Sequence, residues 1–292
     1  MMRFRWLVLM ASLLLSSCLT RSTIVKASGH GRALVPDQEV VYKRASGVDL
    51  KLHVFTPEDW KPSDKRPAIV FFFGGAWVGG NPTQFYPHCK YLASRGMVAM
   101  SAEYRVSSRH DTTPKECVKD GKSAVRWIRQ HGKHLGVDPD RVAAGGGSAG
   151  GQVAAAAGSL DRFDEPGENL KVSSRPDAVV LFSSVIDNSR KGYGYDRVQD
   201  YWEDFSPAHN VSSKSPPTIV FLGTKDDLIP VSTMEEYQRR MHDSGRRCDV
   251  HLYRGKGHGF FNAKKKRSYV KTVKEMDAFL VSLGFLEKGS AE

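Results

Sequence analysis

The chain runs to 292 residues, 40% of them hydrophobic and 26% charged, with a formal net charge of +11. That apolar content excludes a disordered tail and a collagen-like repeat, and the length suits one large α/β domain. The basic excess invites an anionic partner, but its meaning depends on where it sits.

At the start, Met1-Met2-Arg3-Phe4-Arg5 is basic and Trp6–Leu15 is apolar, followed by Ser16-Ser17-Cys18. The apolar stretch is too short for a membrane-spanning helix, which needs about 20 residues, and the layout is that of a secretory signal. Leu15-Ser16-Ser17-Cys18 resembles a bacterial lipobox. That resemblance implies cleavage before Cys18, a lipid on that cysteine, and a place in the periplasm or at the outer membrane. Ser17 departs from the usual Gly or Ala, and an ordinary cleaved signal is the alternative. Loss of residues 1–17 removes Arg3 and Arg5 and leaves +9, so the basic excess belongs to the rest of the chain. Residues 18–35 read as a polar tether and 36–292 as a single domain. Cys89, Cys117 and Cys248 allow at most one internal disulfide in an oxidising compartment, and Cys89–Cys117 is the expected pair.

Val40–Tyr42 and Leu50–Phe55, joined by Ala45-Ser46-Gly47, read as a hairpin. Ala68–Phe73 is a continuous apolar run, as expected of a strand buried on both faces. Met97–Tyr104, Arg141–Gly145, Ala178–Ser183, Thr218–Leu222 and Val250–Tyr253 follow with helix-length intervals between them. Lys115–His131 carries Val118, Ala124, Val125, Trp127 and Ile128 near helical spacing. Tyr269, Val270, Val273, Met276, Phe279, Leu280 and Leu283 form one stripe that stops at Gly284. Such alternation predicts βαβ units and a mostly parallel sheet of eight strands with helices on both faces. Asp161–Arg175 and Asp187–Pro217 are longer than ordinary connections, which makes both candidates for a lid or a substrate-facing surface.

Gly145-Gly146-Gly147-Ser148-Ala149-Gly150-Gly151 lies between a predicted strand and the small-residue run Val153–Gly158. Gly146-x-Ser148-x-Gly150 fits a nucleophile elbow, in which small neighbours let strand and helix approach around a strained serine. The same residues fit G-x-G-x-x-G, but a dinucleotide site needs an acid at the end of the next strand, and Asp161–Glu168 lie in an irregular stretch. A serine nucleophile needs a base and an orienting acid. His258, flanked by Gly257 and Gly259 beyond the last strand, is the base. Asp226, just past Thr218–Leu222, is the acid, with neighbouring Asp227 and the more distant Asp187 as alternatives. The oxyanion needs backbone N–H donors. Gly74 and Gly75, directly after the buried third strand, and Ala149, after the nucleophile, can supply them.

These segments resemble the α/β-hydrolase superfamily, and within it the bacterial esterases akin to hormone-sensitive lipase and to the acetyl and feruloyl esterases of polysaccharide degradation. The segments are Gly147–Gly151, Phe73–Trp77, Gly223–Pro230 and Gly257-His258-Gly259-Phe260, and the chain order Ser148, Asp226, His258 is also that of the superfamily. The resemblance implies an α/β-hydrolase fold with a small cap or none. It also implies Ser148 as nucleophile, His258 as base, Asp226 as acid and the amides of Gly74, Gly75 and Ala149 as oxyanion hole, with Ala76 a substitute donor. Two positions depart from the family pattern. Phe73 stands where the oxyanion loop has His, and Gly147 where the elbow has Asp.

The implied reaction is hydrolysis of short-acyl carboxylic esters, with acetylated polysaccharide as the expected substrate. Tyr195, Tyr201 and Trp202 are available either to stack on sugar rings or to pack their own excursion onto the core. A non-catalytic hydrolase-fold surface module and a serine peptidase of the same fold are the other readings. No metal-ligand motif and no cofactor is implied, and no nucleic-acid partner, because the basic run Lys264–Arg267 carries no interleaved aromatics.

Overall fold

The computed structural model describes residues 34–289, so the expected signal, Cys18 and most of the tether lie outside the described residues. The hairpin forms as β1 (Gln38–Ala45) and β2 (Val48–Phe55), joined by Ser46 and Gly47, both at positive φ (51° and 73°), the conformation whose twist matches an antiparallel ribbon. β3 (Arg66–Phe72), β4 (Val98–Ala102), β5 (Val137–Gly147), β6 (Ala178–Phe182), β7 (Thr218–Gly223) and β8 (Cys248–Tyr253) complete one eight-stranded sheet in the order β1-β2-β4-β3-β5-β6-β7-β8. The β1–β2 and β2–β4 pairings are antiparallel, and the remaining five are parallel.

Strand alternation divides the core in two. Val70, Phe72, Val98 and Met100 face one layer. It is packed by α3 (Pro114–His131), α4 (Ala149–Ser159) and α7 (Val231–Asp243), with the short helices α2 (Ser107–His110), α5 (Tyr195–Val198) and α6 (Trp202–Phe205) in the connections. Ile69, Phe71 and Ala99 face the other layer, packed by α1 (Tyr86–Ser94) and α8 (Lys266–Ser282). α3 starts with Pro114 behind a Thr113/Glu116 capping box, which satisfies orphan N–H groups at its first turn. α4 is buried on every side, which is why its sequence is almost entirely Ala and Gly.

This layering overturns the expected Cys89–Cys117 disulfide. Cys89 sits on α1 beneath one face and Cys117 on α3 above the other, with the sheet between them, and both are free and buried. Cys117 instead donates its thiol to the Arg105 carbonyl at 3.0 Å.

Asp161–Arg175 is no lid either. It is strapped to α3 by Lys122–Asp164 at 2.8 Å and by Arg126, which pairs with both Asp164 and Glu168. Glu165 reaches a buried group in which Lys43 Nζ and Arg105 Nη2 each lie 2.7 Å from Asp120 Oδ1. Asp120 is wholly buried, so this charge persists in the interior only because two cations and their hydrogen bonds surround it. The second excursion, Asp187–Pro217, does approach the carboxyl edge of the sheet. Arg197 Nη1 donates to the Ala76 carbonyl at 2.5 Å, and Trp77 packs against Tyr193 and Phe205.

Candidate active site

The carboxyl ends of β3, β5, β7 and β8 all open on one edge, and each hands the chain to one piece of the site. After β5, Ser148 holds φ 54° and ψ −123°, a conformation costing about 1–3 kcal/mol that lifts the serine out of the strand-to-helix turn. The turn closes only around glycine. A Cβ on Gly146 would stand 2.4 Å from the Gly150 carbonyl oxygen, and one on Gly150 would stand 2.1 Å from that of Phe72. The strain is held by the Ser148 N–H to Phe182 carbonyl bond at 3.0 Å and by the Gln152 and Val185 N–H groups on the Ser148 carbonyl.

After β7, Asp226 turns its side chain fully inward and accepts the N–H groups of Leu228 and Ile229 at 3.1 Å each. After β8, His258 places Nδ1 3.0 Å from both Asp226 oxygens. Burial pushes the Asp226 carboxyl up. The hydrogen bond from His258, its charge and the Leu228 N–H outweigh this and hold the group below the usual carboxylate range. An ionised acid on Nδ1 fixes the imidazole tautomer that leaves Nε2 as proton acceptor. Asp227 is exposed, and Asp187 lies 3.9 Å from His209 rather than at His258.

Ser148 and His258 meet across a cavity of about 280 Å³ whose lining also includes Gly74, Gly75, Ala76, Gln84, Tyr193, Phe261 and Asn262. Ser148 and His258 thus share one cavity wall, and in apo sites the nucleophile–base hydrogen bond is often long and tightens only with substrate bound.

The loop after β3 carries the backbone N–H groups of Gly74, Gly75 and Ala76 that the sequence offers as oxyanion donors. The Gly74 N–H, at the cavity wall, donates to Gln84 Oε1 at 2.7 Å. Gly75 and Ala76 both line the cavity, and neither donates its N–H to an acceptor among the described residues. Their backbone is unusual. Gly75 has φ 143°, open to glycine alone, and Ala76 and Trp77 follow at 57° and 59°. The Gly75 carbonyl accepts the N–H groups of Val78 and Gly79 at 3.0 Å, which curls the loop over the elbow. Ala149 N–H is an unpaired first-turn donor of α4 and carries the positive end of that helix. Gly75, Ala76 and Ala149 thus hold N–H groups with no acceptor among the described residues.

Both departures from the family pattern have a structural counterpart. Phe73 stacks on Tyr104 with ring centroids 4.2 Å apart, and the Tyr104 hydroxyl donates to the Phe73 carbonyl at 2.6 Å. At Gly147, a Cβ would stand 2.5 Å from the Phe261 ring, which fills the space an aspartate would need. Gln84, Asn262 and Phe261 escape sequence reading as site residues because no short motif ties them to the elbow, while Tyr193 lies in Asp187–Pro217, which the sequence already marks as a candidate substrate-facing surface. The only signal for the first three is position, shortly after the oxyanion loop or shortly after His258.

The fold is that of an α/β-hydrolase, and it brings Ser148 and the Asp226-paired His258 to one cavity. Residues 52–241 match the BD-FAE family model, and the chain belongs to that family. It is 30% identical over 220 residues to Esterase LipC of Mycobacterium tuberculosis, covering 68% of this chain and 54% of that protein. It is 31% identical over 211 residues to the Probable carboxylic ester hydrolase LipM of the same organism, covering 65% and 47%. The chain thus spans about half the length of the curated relatives it matches. Among solved structures, apo Thermogutta terrifontis esterase 2 superposes with a TM-score of 0.83 at 44% identity, covering 86% of this chain and 96% of that one. The same esterase has been solved with propionate bound and, separately, phosphorylated by paraoxon.

Proposed function

We propose that the protein is a serine carboxylic-ester hydrolase for short acyl groups, acting on acetyl esters of polysaccharide or oligosaccharide. The observation that carries the reading is the Asp226–His258 pair sharing one cavity with Ser148 and the N–H groups of Gly75 and Ala76. In the reaction this supports, Ser148 Oγ attacks the ester carbonyl as His258 Nε2 takes its proton, and Gly75, Ala76 and Ala149 bind the oxyanion. The C–O bond to the alcohol then breaks, and the imidazolium returns the proton to the leaving alcohol. Water, activated by the same imidazole, releases the acid from the acyl-enzyme.

Cavity size supports a short acyl group, since about 280 Å³ lies at the lower end of small-molecule sites, which span about 300–1,000 Å³. The propionate- and butyrate-bound forms of T. terrifontis esterase 2 support the same size class. A polymeric alcohol is supported by the exposed run Lys264–Arg267 next to the His258 turn, unpaired among the described residues, where Lys265 N–H bonds the carbonyl of cavity-lining Asn262 at 2.8 Å. Such a basic rim attracts acidic glycans. A lipid on Cys18, holding the enzyme at a bacterial envelope membrane, completes the proposal and is supported by the lipobox-like Leu15–Cys18. Accumulation of a larger precursor under globomycin is the expected result, and no change in size would exclude it.

The test of activity is p-nitrophenyl acetate hydrolysis by wild type and Ser148→Ala, with stoichiometric labelling of wild type by paraoxon. Equal rates in the two proteins would leave the non-catalytic reading in place. Acetate release from acetylated xylan or pectin tests the substrate class.

A further inference from the structure

Across the cavity from Ser148, four polar groups form one continuous chain. The Gly74 N–H donates to Gln84 Oε1 at 2.7 Å, Gln84 Nε2 donates to Asn262 Oδ1 at 3.0 Å, and Asn262 Nδ2 donates to the Gly259 carbonyl at 2.8 Å. The two ends determine the orientation of both amides. A backbone N–H can only donate and a backbone carbonyl can only accept, so Gln84 must turn its oxygen to Gly74 and Asn262 its nitrogen to Gly259. Each amide then meets the other with the complementary atom, and the chain has one self-consistent arrangement. It runs from the first glycine of the oxyanion loop to the residue after His258.

From this we propose that Gln84 and Asn262 are positioning residues, forming an amide bridge that fixes the oxyanion donors relative to the catalytic base. The bridge stands where the loop lacks its family histidine, and it takes the Gly74 N–H out of competition for the substrate carbonyl. Phe73 and Tyr104 hold the loop from the core side, and the amides hold it from the cavity side. Gly259, with φ 74°, is the pivot of the His258 turn, so an anchor on its carbonyl restrains the imidazole of the residue just before it. Neither amide touches the reacting atoms in this role. They act by holding two loops at a set separation, and errors of about 1 Å in such geometry cost on the order of 100-fold in rate.

The proposal rests on the ester-hydrolase reading for its kinetic effect but not for the bridge itself, so two readouts are needed. The first is hydrogen exchange of the Gly74 amide in glycine-labelled full-length protein. Protection is expected in wild type and should fall by about tenfold or more in both Gln84→Leu and Asn262→Leu, although Asn262 does not contact Gly74. The second is the kinetics of p-nitrophenyl acetate hydrolysis. kcat should fall about 10- to 100-fold in each variant with KM within about twofold, and Gln84→Leu/Asn262→Leu should be no slower than Gln84→Leu alone. If the leucine variants do not fold, Gln84→Glu and Asn262→Asp preserve shape. The carboxylate introduced by Gln84→Glu keeps the Gly74 bond but loses the donor to Asn262, so Gly74 should stay protected while kcat falls, whereas Asn262→Asp loses the donor to Gly259 and should lower kcat as Asn262→Leu does. Wild-type Gly74 exchange in Asn262→Leu, or independent multiplying effects in the double variant, would overturn the bridge. Protected Gly74 in a protein without esterase activity would instead overturn the functional reading and leave the bridge standing.

Discussion

His88 offers the sharpest test of how this core responds to protons. It is fully buried on α1, boxed by the rings of Phe71, Phe85, Phe182 and Tyr269 at centroid distances of 5.9, 5.0, 5.2 and 4.9 Å, and neither ring nitrogen has a partner among the described residues. Burial alone holds its pKa down to about 3. A depressed histidine leaves the unfolded chain binding more protons as the pH falls, so stability is lost from the unfolded value of about 6.5 downward until the folded value is reached. Integrating the difference between pH 7 and pH 4 gives about 3 kcal/mol lost through this one residue. His88→Leu removes that slope and the desolvation cost of the imidazole nitrogens. Urea unfolding of wild type and His88→Leu at pH 7 and pH 4 measures it. The variant should lose about 3 kcal/mol less than wild type over that interval, because carboxylates that also weaken in acid are common to both proteins. Equal losses would show that His88 is protonated or solvated in the folded state. The consequence reaches the site, since Phe85 and Phe182 also pack against Phe261 beneath the elbow.

Asp226→Asn should lower kcat by about 10³- to 10⁴-fold by releasing the imidazole tautomer, while Asp227→Asn stays within about twofold; similar losses at both positions would refute the assignment of the acid. Asp120→Asn should cost about 3–5 kcal/mol in chemical denaturation by leaving Lys43 and Arg105 facing a neutral amide, and a cost below about 1 kcal/mol would mean that the group is solvated. Tyr193→Ala should raise the octanoate-to-acetate ratio of kcat/KM by about tenfold, because Tyr193 lines the acyl-sized cavity; an unchanged ratio would place the acyl group elsewhere.

The fold was legible because burial on both sheet faces leaves an apolar run at each strand and turn chemistry between them. Each of the eight expected strands overlaps an observed one, and Lys115–His131 differs from α3 by only the capping proline. What sequence could not show was which side of the sheet each helix takes. The Cys89–Cys117 expectation failed on that point, since a residue's face depends on crossover geometry rather than on spacing along the chain. Length likewise misled at Asp161–Arg175. That segment looks like a lid until its acids are seen to neutralise buried Lys122 and Arg126 on α3, a pairing 38 or more residues apart in sequence. Tyr201 and Trp202 were ambiguous for the same reason, and both lie packed against the core, while Tyr193 shares the cavity with Ser148.

The site divides along the same line. Ser148, Asp226 and His258 each follow a strand within a few residues, so the parallel sheet brings them to one edge whatever the intervening loops do. The oxyanion donors do not follow from strand position. They depend on which N–H in a curled loop is left without an acceptor, and Gln84, ten residues on and supplied by a different turn, takes that of Gly74. A glycine-rich loop therefore announces that backbone donors are present without saying which one faces the substrate. Here Gln84 takes the Gly74 N–H while those of Gly75 and Ala76 have no acceptor among the described residues, and the same side chain reaches the His258 turn through Asn262. The departure at Phe73 is then compensated by a different set of contacts around the same loop. Tyr104 anchors its carbonyl, Arg197 anchors that of Ala76, and Gln84 holds the amide of Gly74 between them.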